Sequence, residues 1–445
     1  MKSQFKAEMV RALALLCLCG VGLALPRNVF EFEQPKNGGQ TWALLVAGSN
    51  GYYNYRHQAD VCHAYQILHS HGIPDERIVV MMYDDIAHNT ENPVKNNIIN
   101  QPNGPNVYQG VLKDYTGKQV NPETFLSVLK GEKDKVNGGK VIDSGPNDHV
   151  FVNFVDHGAP GIIAFGDATL KAKQLMDAIN FMHDNQKYAK LVFYVEACES
   201  GSMFEDLLPK DINVYATTAS NAHESSYACY FDKKRKTYLG DVYSVKWMQD
   251  SDKEDLTTET LQKQFLITKK ETNSSHVMEY GDLTIGQMTV AEFQGTQMGP
   301  ARNDDPTDTD YCTDKVKSED VPLEILRRSL DLVETKQEAA EIQRKIEEIL
   351  QERKIVDETV KAIVATATSN HLLTSSVTER RHNIKQWDCY EEVVELLQTT
   401  CDTQLNIPVN DYALRKLYMF VNMCEMNIPR EAIHSSIQKV CKPEL

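Results

Sequence analysis

The sequence predicts an α/β domain built on a mostly parallel sheet, followed by a separate all-α module. In the first half of the 445-residue chain, short β-rich runs alternate with helical patterns, which is typical of βαβ units. All 23 glycines lie at or before Gly299, so the composition changes there and indicates a domain boundary.

Five runs are predicted to form the sheet, because they are short, rich in apolar residues and bounded by turn residues. They are Trp42–Ala47, Ile78–Met82, Val150–Val155, Leu191–Val195 and Ile212–Thr217. Between the first two runs, the pattern predicts a helix from His57 to His71, which Gly72 and Pro74 terminate.

Beyond Gly299 the pattern is helical. Apolar residues recur at helical spacing and predict one buried stripe, namely Ile342, Ile346, Ile349, Val356, Val360 and Ile363. A coiled coil would need a longer repeat, so we expect an antiparallel helical bundle. The bundle should be stapled by two disulfides among the four late cysteines, with three pairings open. These cysteines are Cys389, Cys401, Cys424 and Cys441.

The N-terminus has the pattern of a secretory signal, predicted to span residues 1–24. Three basic residues precede the apolar run Ala12–Leu23, and the small residue Ala24 allows cleavage. The run is too short to span a membrane, and no other stretch of the sequence approaches the required length. Entry into the secretory pathway predicts glycosylation at Asn273 in the sequence Asn-Ser-Ser, although such triplets also occur by chance.

The charge balance argues against a nucleic-acid partner. The formal net charge is −16 and the pI is about 5.3, so no broad basic face for a polyanion is expected. No cluster of metal ligands and no phosphate-binding glycine loop stands out, and therefore neither a metal nor a cofactor is predicted.

A cysteine and a histidine that each follow a predicted strand form the candidate active site. Cys198 follows Leu191–Val195 in the sequence Glu-Ala-Cys-Glu-Ser-Gly, and His157 follows Val150–Val155. The carboxyl ends of parallel strands meet at one edge of a sheet, where an imidazole can activate a thiolate nucleophile and protonate a leaving amine. Without a side chain at Gly158, its N–H and that of Cys198 could form an oxyanion hole. The alternative is a buried inert cysteine beside an unrelated His-Gly turn.

Three further cysteines have no predicted chemistry. Cys62 lies among apolar residues on the predicted helix, so we expect a small buried hydrophobe there. The sequence assigns no role to Cys229 or Cys312.

These features together resemble the legumain family of asparaginyl endopeptidases. The matching parts include Asp156-His157-Gly158, the Cys198 motif and the glycine-free tail with four cysteines. Longer matching runs are AGSNGYYNYRHQAD at 47–60, MMYDD at 81–85, ESSYA at 224–228 and YLGD at 238–241. The resemblance implies a caspase-like catalytic domain, cleavage after Asn and more slowly after Asp, and a C-terminal helical prodomain that covers the active site.

With this resemblance the chain divides into five segments. They are a signal peptide at 1–24, a short N-terminal propeptide at 25–37, the catalytic domain at 38–298, a linker at 299–322 and the helical prodomain at 323–445. The family pairing of the late cysteines joins Cys389 to Cys424 and Cys401 to Cys441.

The family's catalytic roles fall on matching residues of this chain. The nucleophile falls on Cys198, the base on His157 and the asparagine that orients the histidine on Asn54. On its residue pattern alone, Asn54 is a turn residue.

The resemblance also places the pocket for the substrate asparagine at Arg56, Glu196 and Asp241, with His57 and Ser225 nearby. An asparagine carboxamide has one acceptor and two donor hydrogens, so Arg56 can donate to its oxygen while the carboxylates accept from its nitrogen. A substrate without these functions would leave the pocket groups unpaired. Aspartate is expected to fit chiefly at acid pH, when it is protonated. The plainer alternative is an ordinary ion pair between Arg56 and Asp241.

Activation is expected to proceed by self-cleavage at acid pH. The candidate sites are Asn303, Asp305, Asp308, Asp310 and Asp331. Carboxylates at the mouth of the active site are expected to pair with tail cations at neutral pH and to release them when protonated. The candidate cations are Arg344, Arg353, Lys354 and Arg415.

The sequence therefore predicts a lysosomal cysteine endopeptidase made as a latent zymogen, with peptide ligation when an amine replaces water. Expected partners are protein and peptide substrates, the chain's own prodomain as an intramolecular inhibitor, and cystatin-type inhibitors. The expected route is the secretory pathway to the lysosome or endosome, with secretion as a further destination. Integrin binding is not expected, since Lys130-Gly131-Glu132 stands where certain animal members carry Arg-Gly-Asp.

Two alternatives remain. A lipid-anchor transamidase subunit would share the Cys/His pair but carry a membrane-spanning C-terminus. A non-catalytic protease-like binding or inhibitory protein would not use the pair for chemistry.

Overall fold

A six-stranded sheet forms the centre of the first domain in the computed structural model, which describes residues 38–297 and 312–442. Its strands are β1 (Thr41–Ala47), β2 (Ile78–Met81), β3 (His149–Val155), β7 (Lys190–Glu196), β8 (Val214–Thr218) and β11 (Met278–Gly281). Their spatial order is β11-β8-β7-β3-β1-β2, with β11 antiparallel at one edge and the other strands parallel. Parallel strands that are buried on both faces explain the nearly continuous apolar runs.

Alternate residues of each strand enter different halves of the core. In β1, Ala43 and Leu45 pack on one face of the sheet, whereas Leu44 and Val46 pack on the other. The helices that flank the sheet are α1 (Tyr55–Ser70), α2 (Pro122–Lys130), α3 (Ala172–Asp184), α4 (Val242–Lys253), α5 (Leu261–Glu271) and α6 (Ala291–Gln294). Residues of α1 join the first half of the core and residues of α2 and α3 join the second.

Two small sheets extend the domain. One is antiparallel and consists of β4 (Gly158–Ala159), β5 (Ile162–Phe165) and β6 (Ala168–Lys171). The other has the order β10-β9-β12 and consists of β9 (Tyr227–Asp232), β10 (Thr237–Asp241) and β12 (Val316–Lys317). The strand β12 lies within the predicted linker, so the part of the chain after Gly299, here called the tail, contributes a strand to this second sheet.

The tail is helical. Its helices are α7 (Val321–Leu330), α8 (Lys336–Thr368), α9 (His371–Glu379), α10 (Trp387–Thr400), α11 (Asp402–Leu405), α12 (Asp411–Leu414), α13 (Tyr418–Glu425) and α14 (Arg430–Cys441). Two disulfides join α10 to α13 and the end of α10 to α14, through Cys389–Cys424 and Cys401–Cys441. This is the pairing that the resemblance implies.

The predicted fold class is confirmed: a mostly parallel sheet flanked by helices is followed by a disulfide-stapled all-α prodomain. The five predicted strands are present with ends shifted by two residues or fewer, and the predicted first helix is α1. Of the predicted stripe on α8, Ile346, Val356, Val360 and Ile363 are buried. No helix in residues 38–297 or 312–442 is long and apolar enough to cross a membrane.

Several predicted features fall outside the described residues. They are the signal peptide, the N-terminal propeptide and the cleavage candidates Asn303, Asp305, Asp308 and Asp310. The remaining cleavage candidate, Asp331, is exposed at the C-terminal end of α7. Asn273 is also exposed, and Cys62 is buried as expected.

Replacing Ile363 by alanine should lower the free energy of unfolding of the tail, because this fully buried side chain packs in the tail core. The expected loss is about 2–5 kcal/mol. On the same helix, Ile355 is 39% exposed, and its replacement by alanine should change stability by less than about 0.5 kcal/mol. Denaturant unfolding of both variants provides the comparison, and equal losses would contradict this packing.

Candidate active site

The register between β3 and β7 places the predicted histidine and cysteine side by side. Val155 and Glu196, the last residues of the two strands, are paired, so His157 and Cys198 leave the same edge of the sheet. The backbones run close together. A Cβ atom added at Gly158 would lie 3.1 Å from the Cβ of Ala197 and would collide with the carbonyl oxygen of Cys198. Only glycine fits this approach.

Asn54 holds the imidazole of His157. Its Oδ1 lies 3.0 Å from Nε2 of His157, and its Nδ2 donates to the carbonyl of Asn50 at 3.0 Å. Because the amide nitrogen is already a donor to Asn50, Oδ1 is the atom that faces the ring, and Nε2 must carry the proton. The other ring nitrogen, Nδ1, is therefore the atom of His157 that can accept a proton.

In this structure, residues of the tail lie against Nδ1 of the His157 ring. Nδ1 of His157 lies 3.3 Å from Oγ of Ser318 and 3.2 Å from Oδ2 of Asp411. Burial lowers the pKa of His157, but the Asp411 carboxylate outweighs it, and the net shift is upward. The closed form therefore favours the imidazolium.

Cys198 is fully buried beneath the tail. Its Sγ accepts a hydrogen bond from the main-chain N–H of Ser226 at 3.3 Å. Burial raises the pKa of the thiol to about 12, although the guanidinium of Arg415 acts against the shift. The thiol is thus protonated at neutral pH in the closed form, and a protonated thiol is a poor nucleophile.

Arg56 and Asp241 form a buried ion pair, with Nε of Arg56 2.9 Å from Oδ1 of Asp241. The guanidinium has a further partner, because its second terminal nitrogen donates to Oγ of Ser318 at 2.9 Å. The Ser318 hydroxyl is an oxygen acceptor supplied by the tail.

Glu196 and His57 are buried near Asp241. One carboxylate oxygen of Glu196 accepts from both the N–H and the hydroxyl of Ser244 at 3.0 Å. Nδ1 of His57 is 2.6 Å from Oγ of Ser49, and its Nε2 is 3.6 Å from Asp241. Burial, followed by the charge of Arg56, lowers the pKa of His57 well below its usual value, so this ring is neutral.

Asp60 belongs to this region and was not singled out from the sequence. Its carboxylate accepts from Asn100 at 2.7 Å and from the main-chain N–H of Asp241 at 3.2 Å. Burial, and then the charge of Asp241, raise the pKa values of Asp60 and Glu196, and burial raises that of Asp241 despite Arg56. A charged residue four positions after Arg56, about one helical turn away, is the sequence signal for Asp60.

Ser225 contacts the residue next to Ser318. Its hydroxyl donates to Glu319 of the tail at 2.9 Å, while the main-chain N–H of the next residue, Ser226, donates to Cys198. The place of Ser225 in the pocket remains a prediction.

One of the predicted tail cations reaches the candidate nucleophile. Arg415 forms a buried ion pair with Glu199, the residue after Cys198. Arg353 instead pairs with Asp320, which also belongs to the tail. Arg344 and Lys354 pair with glutamates on their own helix.

Three side chains from two distant parts of the sequence form a group that could hold a metal ion. His57, Asp156 and His157 each offer a ligand atom within 4.8 Å of the others. The sequence pattern did not reveal this group. A nitrogen of each ring already has a hydrogen-bond partner, in Ser49 and Asn54 respectively, and we assign no metal to it.

A Cys/His pair at adjacent ends of parallel strands, covered by the chain's own helical tail, defines a cysteine endopeptidase that carries a prodomain. Residues 41–296 match the Peptidase C13 family, and residues 344–441 match the legumain prodomain. The chain belongs to the Peptidase C13 family.

Curated relatives agree with this assignment. The chain is 48% identical to legumain of Homo sapiens over 428 residues, which cover 95% of this chain and 97% of the relative. Legumain of Bos taurus is also 48% identical, over 95% of this chain and 97% of the relative. The vacuolar-processing enzyme of Vicia sativa is 40% identical, over 95% of this chain and 91% of the relative. The prediction of a legumain-type cysteine endopeptidase is thereby confirmed.

The Asn54→Ala substitution should lower kcat roughly 10²-fold, at the lower end of what general acid–base catalysis contributes, because His157 would lose its orientation. KM should change little, since the pocket is untouched. The matched control is Asn50→Ala, which retains the main-chain carbonyl that Asn54 contacts and removes only an exposed side chain. Kinetics of both activated variants on one peptide substrate decide, and equal kcat values would contradict the role of Asn54.

Proposed function

We propose that this protein is an asparaginyl endopeptidase made as a latent zymogen. The observation that carries the proposal is the occupancy of the site by tail residues. A tail hydroxyl, that of Ser318, bridges Arg56 and His157, the two groups that a bound substrate would engage.

The proposed reaction is acyl transfer through Cys198. With the tail displaced, Nδ1 of His157 takes the thiol proton and the sulfur attacks the carbonyl carbon of the substrate peptide bond. The N–H groups of Gly158 and Cys198 would stabilise the oxyanion. The C–N bond then breaks as His157 returns the proton to the leaving amine. Water hydrolyses the resulting thioester, and a competing amine would give ligation instead.

Selectivity for asparagine is proposed to come from the Arg56 region. Arg56 would donate to the carboxamide oxygen, and Glu196 and Asp241 would accept from its nitrogen. An ionised aspartate would bring a negative charge towards these carboxylates. Cleavage after aspartate is therefore proposed to require acid pH, where the substrate carboxyl is protonated.

Latency is proposed to result from contacts of the tail with both the Arg56 pocket and the pair His157 and Cys198. Ser318 fills the acceptor position of the pocket, and Asp411 pairs with His157. Arg415 pairs with Glu199 and covers Cys198. A cut at one of the candidate sites in the linker or at Asp331 would then permit the covering residues to leave.

The Glu199–Arg415 pair is the proposed source of acid release. Protonation of Glu199 would leave the buried Arg415 guanidinium with only the Asp411 carboxylate, which lies 3.8 Å away and also pairs with His157, and this is costly. Two neighbouring groups act in the opposite direction. Because the pKa of His157 is raised in the closed form, its pair with Asp411 stabilises docking fully below pH 6.5. This stabilisation is lost as the pH rises through the pKa of His157 in the closed form. Burial raises the pKa of Glu319 to about 7, so docking favours its protonated form.

The proposed route is the secretory pathway to an acidic compartment, the lysosome or endosome, with secretion as a further destination. The predicted signal peptide supports this route, as does the similarity to an enzyme named vacuolar-processing. Protein and peptide substrates and cystatin-type inhibitors are the proposed external partners.

The direct test of the proposed function is hydrolysis of an Ala-Ala-Asn reporter at acid pH after removal of the tail. We expect activity on the Asn reporter, weaker activity on its Asp counterpart that declines towards neutral pH, and none on a Gln counterpart. Cys198→Ala prepared in the same way should be inactive. Equal cleavage of the Asn and Gln reporters would contradict asparagine selectivity, and residual activity in Cys198→Ala would contradict the assigned nucleophile.

Replacing Arg415 by glutamine should let the tail leave at a higher pH, because Glu199 loses its buried partner at a cost of about 3–5 kcal/mol. The control is Lys354→Gln, which removes an exposed tail cation that pairs with Glu358 on its own helix. Both changes are made in Cys198→Ala protein whose linker is cut by an added site-specific protease, and release is followed by size-exclusion chromatography across pH. Coincident release curves for the two variants would contradict the role of Arg415.

A further inference from the structure

Two buried cysteines, one from the α/β domain and one from the tail, meet in the core of the α/β domain. Cys229 lies in β9, and Cys312 is the first residue of the second described range, 312–442. Their exposed fractions are 0% and 1%, and both belong to the same cluster of buried side chains. The two thiols are hydrogen-bonded to each other. Neither is part of the two disulfides of the tail.

The hydrogen bonds next to these cysteines fix their relative position. Val316 of β12 pairs with Ala228, the neighbour of Cys229 in β9. On the other side of Cys229, the Asp314 carboxylate accepts from the N–H groups of Tyr230 at 2.9 Å and Phe231 at 2.8 Å. Residues 314–317 are thus bound along β9 on both sides of Cys229, and Cys312 approaches it from a fixed direction.

We propose that Cys229 and Cys312 form a reversible disulfide that ties the tail to the α/β domain across the linker. The oxidant would be a small-molecule disulfide of the glutathione type. One cysteine thiolate attacks a sulfur of the small disulfide and releases one thiol. The second cysteine then attacks the mixed disulfide and releases the other thiol. Two protein thiols and one small disulfide thereby give one protein disulfide and two small thiols.

With this bond in place, cleavage of the chain alone would not open the active site. That consequence rests on the proposed function, whereas formation of the bond does not. The candidate cleavage sites from Asn303 to Asp310 precede Cys312, and Asp331 follows it. After a cut at any of them, Cys312 still carries Ser318 and Glu319, which occupy the active site. Full opening would then require a reductant as well as a cut.

Burial sets when the bond can form and break. The pKa of Cys229 is well above its usual value, chiefly because of burial, so its reactive thiolate is scarce while the segment is docked. Oxidation is therefore expected as the segment docks or when it opens transiently. Once formed, the disulfide is shielded from external thiols until the tail loosens.

The experiment uses full-length Cys198→Ala protein, in which self-cleavage and oxidation of the candidate nucleophile are both excluded. A recognition sequence for a site-specific protease replaces part of residues 303–310. The protein is exposed to oxidised glutathione, the linker is cut, and the sample is denatured in the presence of N-ethylmaleimide, which blocks the remaining thiols. The fragments are then separated under denaturing conditions with and without a reductant, and a parallel sample is analysed by peptide mass mapping.

We expect the two fragments to remain joined without reductant and to separate with it, and a peptide containing Cys229 linked to Cys312 to be detected. The Cys312→Ser and Cys229→Ser variants should each lose the joined species. The matched control, Cys62→Ser, also alters a buried cysteine and should retain it. The tail disulfides do not interfere, since both lie within one fragment.

Two outcomes would overturn the proposal. In one, both cysteines of the unmutated pair are recovered as maleimide adducts after denaturation and the fragments separate without reductant. In the other, the fragments remain joined in Cys312→Ser. Neither readout measures peptidase activity, so failure here is distinct from failure of the proposed function.

Discussion

The parallel pairing of β3 with β7 is the constraint on which the site depends. It aligns Val155 with Glu196, so the chain emerges from both strands at one edge and brings His157 to Cys198 across 41 positions of sequence. Gly158 permits the close backbone approach that this alignment requires. A register shift of one residue between β3 and β7 would turn the side chains of the shifted strand towards the opposite face of the sheet. The packing of the sheet therefore determines the relative positions of His157 and Cys198 as well as the stability of the domain.

The tail completes the closed form through contacts with several groups of the candidate site. The hydroxyl of Ser318 accepts from Arg56, and the carboxylate of Asp411 pairs with His157. Cys198 is fully buried beside Arg415, and burial keeps its thiol protonated. These groups belong to different tail helices and turns, so release of the site requires movement of the tail as a unit or removal of several contacts. Latency is thus a property of the docked interface.

The parts of the structure set by local patterns could be predicted from the sequence. Strand periodicity located β3 and β7, and their ends identified His157 and Cys198. Contacts between distant segments have no such local signature, which is why Asp411 and the partner of Arg415 were not foreseen. Likewise, the proximity of Cys229 and Cys312, which are far apart in sequence, becomes visible only in the folded chain.

If the docked tail buries the candidate nucleophile, the alkylation rate of Cys198 by iodoacetamide should depend on the tail. The rate is measured by peptide mass mapping in the intact chain and in protein from which the tail has been removed, with the buried Cys62 as an internal reference. We expect Cys198 to be protected in the intact chain and to react rapidly without the tail, while Cys62 stays protected in both. Equal labelling of Cys198 in the two proteins would contradict burial of the nucleophile by the tail.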